Sequence, residues 1–433
     1  SLRQVTFSGF NIDVSDVCVI LVISAWLAGM VIRREVVIPH LPFVLPLAAF
    51  LTILVASWLS ALSLSSSLKE TAKWVLFAAL YLFAGGAFTR TQVRTAVTLI
   101  LMAGVAQALL GFYQFFGRSG PEGFLWHTPV GLFMRAHGTF EQPNPYGGYL
   151  GLVAPLAYGL WLTSFNAAGL RRSIWRWATE ATLYATAAVS LVVAILMTWS
   201  RGAMLGFAAA FVVVNVQRSR QAAILFIAAI LLVAGLGAFQ LLPEAIVQRF
   251  LDFLPFLSIP DVSTVEVNPT NFAIIQRLAH WLAAWRMFDT HPWTGVGTGN
   301  YAVLYPVYAL PAWPDPLGHA HNYYLNVLAE TGIVGLAVYL SLWGAILGYV
   351  LSVLRRLSGY AAGVALGVLG ALVHLSVHNL VDNLYVHGMY LHIAVLLGCV
   401  VALARGTDHG TSAEQRGSAD PASTPEFDRR ANF

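Results

Sequence analysis

The stretch YLNVLAETGIVGLAVYLSLWGAILGYVLSVL, Tyr324–Leu354, decides the fold class of this chain. It exceeds the about 20 predominantly apolar residues that span a bilayer as a helix, and Glu330 is its only charged residue. Arg355 and Arg356 follow it directly, and such basic residues mark the cytoplasmic end of a span. The stretch therefore predicts a transmembrane helix that ends in the cytoplasm.

The composition of the whole chain agrees with this stretch. Of 433 residues, 58% are hydrophobic and 10% are charged, and the mean hydropathy is +0.70. A soluble domain carries about 25% charged residues, which argues against a soluble enzyme, a secreted disulfide scaffold, a disordered chain and a nucleic-acid-binding protein. We predict an all-α polytopic membrane protein. Its eleven predicted helices lie near Val14–Ile32, Leu41–Leu62, Ala72–Phe88, Val93–Phe116, Tyr146–Phe165, Ala178–Thr198, Ala203–Val216, Ala222–Leu242, Tyr324–Leu354, Tyr360–His378 and Tyr385–Ala404.

Basic residues stand at alternate connections between these helices, and the net charge of +4 arises there rather than in a nucleic-acid-binding patch. The positive-inside rule places those connections in the cytoplasm. The other connections are then extracytoplasmic, and they include the long loops Gly117–Pro145 and Pro243–His321. The basic connections contain Arg33 and Arg34, Arg90 and Arg94, Arg171, Arg172 and Arg176, Arg218 and Arg220, Arg355 and Arg356, and finally Arg405.

This topology divides the chain into four parts. N-terminal helices occupy residues 1–242, and one large outer loop with a helical stretch around Phe272–Phe288 occupies residues 243–321. C-terminal helices occupy residues 322–404. Residues 405–433 are polar without an apolar period, so we expect a disordered cytoplasmic tail.

Two arginines stand at outer helix ends. Arg135 opens a segment to Gly148 whose Pro and Gly content predicts a folded turn, although an ordinary loop is the alternative. Arg201 lies in the tight connection Thr198–Ala203 without an acidic neighbour in sequence. A charge near hydrocarbon is costly and usually functional, while an Arg that snorkels to the interface is the alternative.

The outer loop places a third arginine on an aromatic helix face. Arg277, Trp281 and Trp285 recur at intervals of four residues, so they share one face of the predicted helix. This pattern indicates an anion contact, and stacking of Arg on Trp for packing alone is equally consistent with it. The following His291–Asn300 stretch is glycine-rich but lacks the strand and helix of a phosphate loop, so we interpret it as a turn.

Histidines mark the point where the outer loop enters the ninth helix. His321 and Asn322 are predicted to lie at the N-terminus of that helix, with His319 two residues before. The positive end of a helix dipole favours a neutral imidazole, which can act as a base. A histidine that only caps the helix is the alternative.

A metal site and a transporter remain as two further alternatives. His319 and His321 could combine with His374 and His378, which are four residues apart, to hold a metal. No HExxH pattern or acidic cluster accompanies them in sequence, so we predict no metal. Glu330 and Asp382 with the histidines could instead form a proton path, but the charges gather at one face rather than at mid-membrane.

Together these motifs resemble the O-antigen ligase and polymerase superfamily. The motifs are Arg201 in a Ser-Arg-Gly turn, Arg277 before the Trp face, Pro292-Trp-Thr-Gly-Val-Gly, His321-Asn-Tyr-Tyr-Leu and Glu330-Thr-Gly, and the resemblance runs from about Arg135 to Asp382. It implies a type C glycosyltransferase-like fold of about twelve helices in the bacterial inner membrane, with the active site on the periplasmic face. A twelfth helix would precede Ser1 or arise from a span that our prediction did not divide.

The resemblance also implies a reaction. O-antigen ligases transfer a polysaccharide from undecaprenyl diphosphate to a sugar hydroxyl of lipid A core, with no metal, cofactor or nucleotide sugar. Arg201 and Arg277 would stabilise the diphosphate leaving group, and His321 would be the general base of an inverting transfer. Membrane lipids surround the protein, and both lipid substrates would enter laterally between helices.

The substrate-binding residues follow from the same resemblance. We expect Arg135, Asn322, Trp281, Trp285 and His319 to bind substrate. The loop tryptophans as a group, which also include Trp293 and Trp313, suit a glycan-stacking surface. A polymerase that extends lipid-linked glycan shares the donor and the base. We favour the ligase because of the Ser-Arg-Gly and His-Asn-x-x-Leu elements and the single large outer loop.

Overall fold

The structure is a computed structural model that describes most of the chain. It covers residues 5–7, 10–12, 14–34, 41–128, 131–165, 174–218, 262–268 and 271–417, with scattered positions between 221 and 237. The predicted helix Ala222–Leu242 lies largely outside the described residues. Residues 243–261 of the outer loop and residues 418–433 of the predicted tail lie outside them as well.

Helices make up nearly all of the described chain, which confirms the predicted all-α class. They are α1 (Val14–Arg33), α2 (Val44–Ala56), α3 (Leu64–Ala87), α4 (Arg90–Gly117), α5 (Pro143–Ser164), α6 (Ile174–Met197), α7 (Arg201–Arg218), α8 (Phe272–Thr290), α9 (Tyr301–Tyr308), α10 (Tyr323–Leu354), α11 (Gly359–His378) and α12 (Met389–Gly417). Short 3-10 turns lie at Ser57–Ser60, Glu122–Phe124 and Val262–Thr264. Two antiparallel hairpins pair β1 (Val5–Phe7) with β2 (Phe10–Ile12) and β3 (Leu125–Thr128) with β4 (Gly131–Met134).

Each predicted span except the eighth coincides with one of these helices. Six of the described helices are long and apolar enough to cross a membrane: α1, α4, Ala178–Met197 of α6, α10, α11 and Met389–Gly406 of α12. The chain is therefore a multi-pass membrane protein. Several boundaries differ from the prediction: α2 ends at Ala56 rather than Leu62, and α3 begins at Leu64 rather than Ala72. At the C-terminal end, α12 continues to Gly417, so the start of the expected disordered tail is helical. A helix that is already nucleated by a span propagates into polar residues at little cost.

Facing glycines bring α5 and α11 together in the middle of the bundle. A Cβ on Gly159 would lie 2.6 Å from the carbonyl oxygen of Gly363, and a Cβ on Gly151 would overlap the His374 ring. Small residues at helix crossings permit such close approach in membranes. These two contacts make the helices antiparallel, so the N-terminal end of α5 lies beside the C-terminal end of α11.

Helix α10 is broken at Gly332, where φ is 67° and ψ is −171°. The break frees backbone groups, and the predicted turn around Pro292 supplies their partners. Gly297 N–H donates to Glu330 O at 2.9 Å, and Ile333 N–H donates to Pro292 O at 2.8 Å. Irregular backbone at membrane depth needs this kind of protein partner. The turn thereby attaches the outer-loop helices to the helix whose first turn follows His321.

Asn300 anchors the same turn to the connection between α2 and α3. Its Oδ1 accepts a hydrogen bond from Ser63 N–H at 2.7 Å, and its Nδ2 donates to Ser67 Oγ at 2.9 Å. Asn300 is fully buried, so these bonds satisfy a polar group that would otherwise destabilise the fold. Helices α8 and α9 are therefore held against the bundle from two sides.

Candidate functional site

The turn between α6 and α7 carries Arg201. Helix α6 ends at Met197, Trp199 has a left-handed φ of 52°, and α7 begins at Arg201 itself. Gly202 packs against the end of α11, where a Cβ would lie 2.7 Å from His378 Cδ2. The small residue therefore allows the N-terminus of α7, with Arg201, to lie beside the segment that follows α11.

Arg135 braces this turn from the neighbouring loop. Its Nε donates to Thr198 O at 2.9 Å, and its second terminal nitrogen donates to Asn144 Oδ1 at 3.2 Å. Gln114 of α4 holds the loop itself, since its Nε2 donates to Gly138 O at 2.7 Å. The segment is thus a folded turn, as predicted from its Pro and Gly content. Substrate binding by Arg135 stays a prediction.

Arg277 lies on α8, which confirms the helix predicted around Phe272–Phe288. One terminal nitrogen donates to Ala273 O at 3.2 Å, and Nε is buried without a hydrogen-bond partner among the described residues. Burial lowers the pKa of Arg277, the nearby Asp382 carboxylate raises it, and Arg201 lowers it further. The tertiary structure therefore brings the two predicted arginines close enough for their charges to interact.

His321 lies next to an acidic residue that the sequence grouped with the histidines only in the proton-path alternative. Its Nδ1 is 3.5 Å from Asp382 Oδ1. Asp382 belongs to the connection between α11 and α12, and that connection meets the start of α10, where Tyr323 N–H donates to Asn379 O at 2.8 Å. The pair is therefore formed by backbone contact between two distant parts of the chain.

The Asp382 carboxylate lies near three imidazoles, those of His319, His321 and His378. Burial raises the pKa of Asp382, but the His321 ring, with Nδ1 3.5 Å away, and the charges of His319 and His378 outweigh burial and hold the pKa well below its usual range. Burial, together with His321, lowers the pKa of His319 to about 4, although Asp382 opposes this. We infer that Asp382 is ionised and His319 is neutral near neutral pH.

His319, His321 and Asp382 are also the described residues whose spacing could hold a metal ion. One ligand atom from each lies within 4.8 Å of the other two. The predicted partners His374 and His378 are not in this group; they pack against each other on α11, with ring centroids 5.4 Å apart. The spacing of the three residues would allow a metal ion to bind, and metal-independence stays a prediction.

The other residues that the sequence predicts to bind substrate lie in different environments. Asn322 caps α10, and its Oδ1 accepts from Leu325 N–H at 3.1 Å. Trp281 Nε1 donates to His321 O at 3.3 Å, so this tryptophan lies at the site. Trp285, one turn further along α8, is 53% exposed. The inclusion of Trp313 in a glycan-stacking surface is wrong.

The reason for the Trp313 correction is burial. Its side chain is 9% exposed and packs against Phe272, with ring centroids 5.1 Å apart. Ile275, Ala279 and Leu310 complete this small apolar cluster in the outer loop. A loop of this size needs an apolar core, and a large aromatic side chain supplies much of the buried area.

Sequence reasoning also missed His280. Its side chain is buried. Its ring lies edge to face with His321 at a centroid distance of 5.6 Å and is stacked on Tyr305 at 4.5 Å. Its Nδ1 lies 2.9 Å from the Tyr301 hydroxyl. Burial, with a contribution from His321, lowers the pKa of His280 to about 4. Its place between Arg277 and Trp281 on the predicted helix was the available signal.

Comparison with known proteins gives one family. Residues 186–340 match the family Wzy_C, described as O-Antigen ligase, and this segment contains Arg201, Arg277 and His321. A chain from a solved structure described as "Structural coordination of polymerization and crosslinking by a peptidoglycan synthase complex" aligns with 84% of this chain and 96% of that chain, at 14% identity and a TM-score of 0.47. No curated protein sequence matches the chain.

Proposed function

We propose that this protein is an O-antigen ligase. The premise is that the family matched by residues 186–340 describes the activity of the whole chain. It transfers a polysaccharide from undecaprenyl diphosphate to a sugar hydroxyl of lipid A core. The reaction takes place on the periplasmic face of the bacterial inner membrane. It uses neither a metal nor a nucleotide sugar.

The pairing of His321 with Asp382 beside two arginines is the observation that carries this proposal. Asp382 faces Nδ1 of His321 at 3.5 Å, so a proton on Nδ1 is favoured and the lone pair is left on Nε2. The same arrangement orients the base in hydrolases with a His–Asp pair. Nε2 of His321 is then the general base, and Asp382 is the residue that positions it.

The arginines supply the positive charge that a diphosphate leaving group requires. Arg277 offers a buried Nε without a partner among the residues that the structure describes, and Arg201 begins a helix whose N-terminal backbone N–H groups favour anions. Two guanidinium groups can bind phosphate oxygens through paired hydrogen bonds. They take the place that a metal ion has in other diphosphate-releasing enzymes.

The proposed step follows from these roles. The acceptor hydroxyl gives its proton to Nε2 of His321 while its oxygen forms a bond to the anomeric carbon of the donor glycan. The bond from that carbon to the diphosphate oxygen breaks, and its electron pair leaves on undecaprenyl diphosphate. Attack opposite the leaving group inverts the anomeric configuration. Arg201 and Arg277 stabilise the charge that develops on the diphosphate.

An apolar cavity in the membrane part of the protein suits a lipid substrate. It has a volume of about 260 Å³ and lies between α5, α6 and α7. Aromatic side chains on two of these helices line it, including Tyr158, Trp161, Phe207 and Phe211. A prenyl or acyl chain could enter such a cavity laterally, which supports the use of lipid-linked substrates.

The structure argues against the transporter alternative at Glu330. Its carboxylate Oε1 accepts from Tyr301 N–H at 3.1 Å, so it caps the N-terminus of α9. Outside α10, Arg201 begins a helix, Asp382 lies in a connection and Arg277 lies on the outer-loop helix α8, so none of them lies in paired broken helices at mid-membrane. Glu330 therefore has a structural explanation that needs no proton path.

The test of the proposed function uses purified full-length protein, an undecaprenyl diphosphate-linked glycan, and lipid A core as acceptor. We expect glycosylated core to form, and we expect no product when core is left out. The matched control is the His321→Ala variant under the same conditions. Longer undecaprenyl-linked chains formed without core would show a polymerase instead. No glycan transfer to either acceptor would refute both activities.

A further inference from the structure

His319 has the geometry of a support for His321 rather than of a substrate ligand. Its Nδ1 accepts a hydrogen bond from His321 N–H at 3.0 Å. A neutral imidazole carries one N–H, so an acceptor at Nδ1 puts the proton on Nε2. That Nε2 lies 4.0 Å from Asp382 Oδ1. Both ring nitrogens of His319 are therefore directed at the protein.

His321 needs such support because its backbone is in an unfavourable conformation. Its φ is 51°, in the left-handed region that residues with a Cβ rarely adopt. Such a conformation persists where surrounding contacts impose it, and it concentrates at functional sites. Three contacts impose it here: His319 binds the backbone N–H of His321, Trp281 binds its carbonyl oxygen, and Asp382 faces its ring.

Two further imidazoles lie against the His321 ring. His280 covers the ring from the side of α8, and His319 lies on another side with ring centroids 4.4 Å apart. Helix α10 begins at Tyr323, two residues after His321, and Asn322 is its N-cap. The backbone conformation of His321 therefore decides where its ring points.

We propose that His319 is a positioning residue: its Nδ1 holds the left-handed backbone of His321, which directs Nδ1 of His321 to Asp382 and leaves Nε2 for the acceptor hydroxyl. This inference rests on the proposed role of His321 as the base. It replaces the expectation that His319 binds substrate. His319 acts through His321 and touches no reacting atom.

The same hydrogen bond separates this role from metal binding. A metal between His319, His321 and Asp382 would bind the lone pair of His319 Nε2, the atom nearest Asp382. Neutral His319 would then have to carry its proton on Nδ1 and lose the hydrogen bond from His321 N–H. Metal binding and the observed support of His321 therefore require opposite tautomers of His319.

A matched pair of variants tests the proposal. Asn at position 319 can accept from the N–H two residues later, as Asn side chains do in Asx turns. Leu has nearly the same size and shape but no acceptor. We therefore expect His319→Leu to lower kcat by about 10- to 100-fold, the scale of a misplaced catalytic group. His319→Asn should recover most of that loss, and neither variant should change KM for the lipid-linked donor appreciably.

Other roles give different results in the same assay. If His319 bound substrate, KM would rise in both variants. If it were a metal ligand, Asn would fail as Leu does, and a chelator would inactivate the native protein. If its role were only structural, kcat per folded molecule would be unchanged and only the yield of folded protein would fall. Each of these outcomes overturns the proposal.

A second measurement does not depend on the reaction. In protein labelled with ¹⁵N-histidine, the imidazole nitrogen resonances that disappear in the His319→Asn variant belong to His319. Their chemical shifts should show a protonated Nε2 and an unprotonated Nδ1. The opposite tautomer would overturn the positioning role even if the enzyme were a ligase. Conversely, this tautomer together with full transfer by His321→Ala would leave the hydrogen bond intact and refute the proposed role of His321 as the general base.

Discussion

Asp382 lies 3.5 Å from Nδ1 of His321, although one residue follows α11 and the other precedes α10. The hydrogen bond between Tyr323 N–H and Asn379 O joins the two connections and sets this spacing. A carboxylate at Nδ1 selects the tautomer with a free Nε2. This relationship converts a histidine at a helix end into a candidate base, and several predictions depend on it.

We expect Asp382→Asn to lower transfer by about 100-fold or more, because an amide can stabilise the wrong tautomer of the base. The matched control is Asp315→Asn, since Asp315 is an exposed aspartate of the outer loop whose Oδ1 accepts from Leu317 N–H at 3.1 Å. Initial rates at saturating donor compare the two variants. Equal rates in both would mean that Asp382 does not position the base.

His321→Ala should lose transfer by roughly 100-fold or more, the usual scale for removal of a general base. The variant should still fold and remain in the membrane, which size-exclusion chromatography of detergent-extracted protein can verify. The native enzyme should keep its rate after treatment with a chelator. Near-normal transfer by the variant, or loss of native activity in the chelator, would contradict the proposed mechanism.

Replacement of either Arg201 or Arg277 by Lys should cause a substantial defect, because Lys keeps the charge but lacks the planar pair of donors. Arg286→Lys is the matched control on the same helix as Arg277, since Arg286 is exposed and donates to Tyr308 O at 3.0 Å. Steady-state rates and donor binding measure the effect. Normal binding and turnover in both test variants would make these arginines interfacial anchors.

Two tryptophans of the outer loop should respond in opposite ways. Trp285 is 53% exposed, so Trp285→Ala should weaken glycan binding and leave stability nearly unchanged. Trp313 is 9% exposed, so Trp313→Ala should destabilise the loop by about 3–5 kcal/mol, as truncation of a buried aromatic residue does. Thermal unfolding and acceptor KM, measured on both variants, separate the two effects. Equal loss of stability would disprove this assignment.

The topology prediction concerns the side of the membrane that the loop around Ser263 faces. In protein with Cys18 and Cys399 replaced by Ala, a cysteine at Ser263 should react with an impermeant thiol reagent from the periplasm. A cysteine at Ser358, beside the basic residues after α10, is the control and should react only after the inner membrane is opened. Reaction at position 263 only after that opening would invert the topology.

Several features of the fold and site could be predicted from sequence because they depend on neighbouring residues. A long apolar run has to become a helix in a bilayer, since each backbone group needs an internal partner there. The described spans, α8 and the turn around Pro292 follow from such local patterns. The Asn322 cap does too, since its oxygen bonds a backbone N–H three residues later.

Other features were decided only by the tertiary structure. The pairing of Asp382 with His321, the tautomer of His319 and the burial of Trp313 each depend on segments that are distant in sequence. Helix packing brings those segments together, through contacts such as Gly202 against His378 and Asn300 against Ser67. A sequence pattern with a period of a few residues shows which face of a helix is apolar. It contains no information on which distant connection that face will meet, because packing complementarity among all the helices together selects that partner.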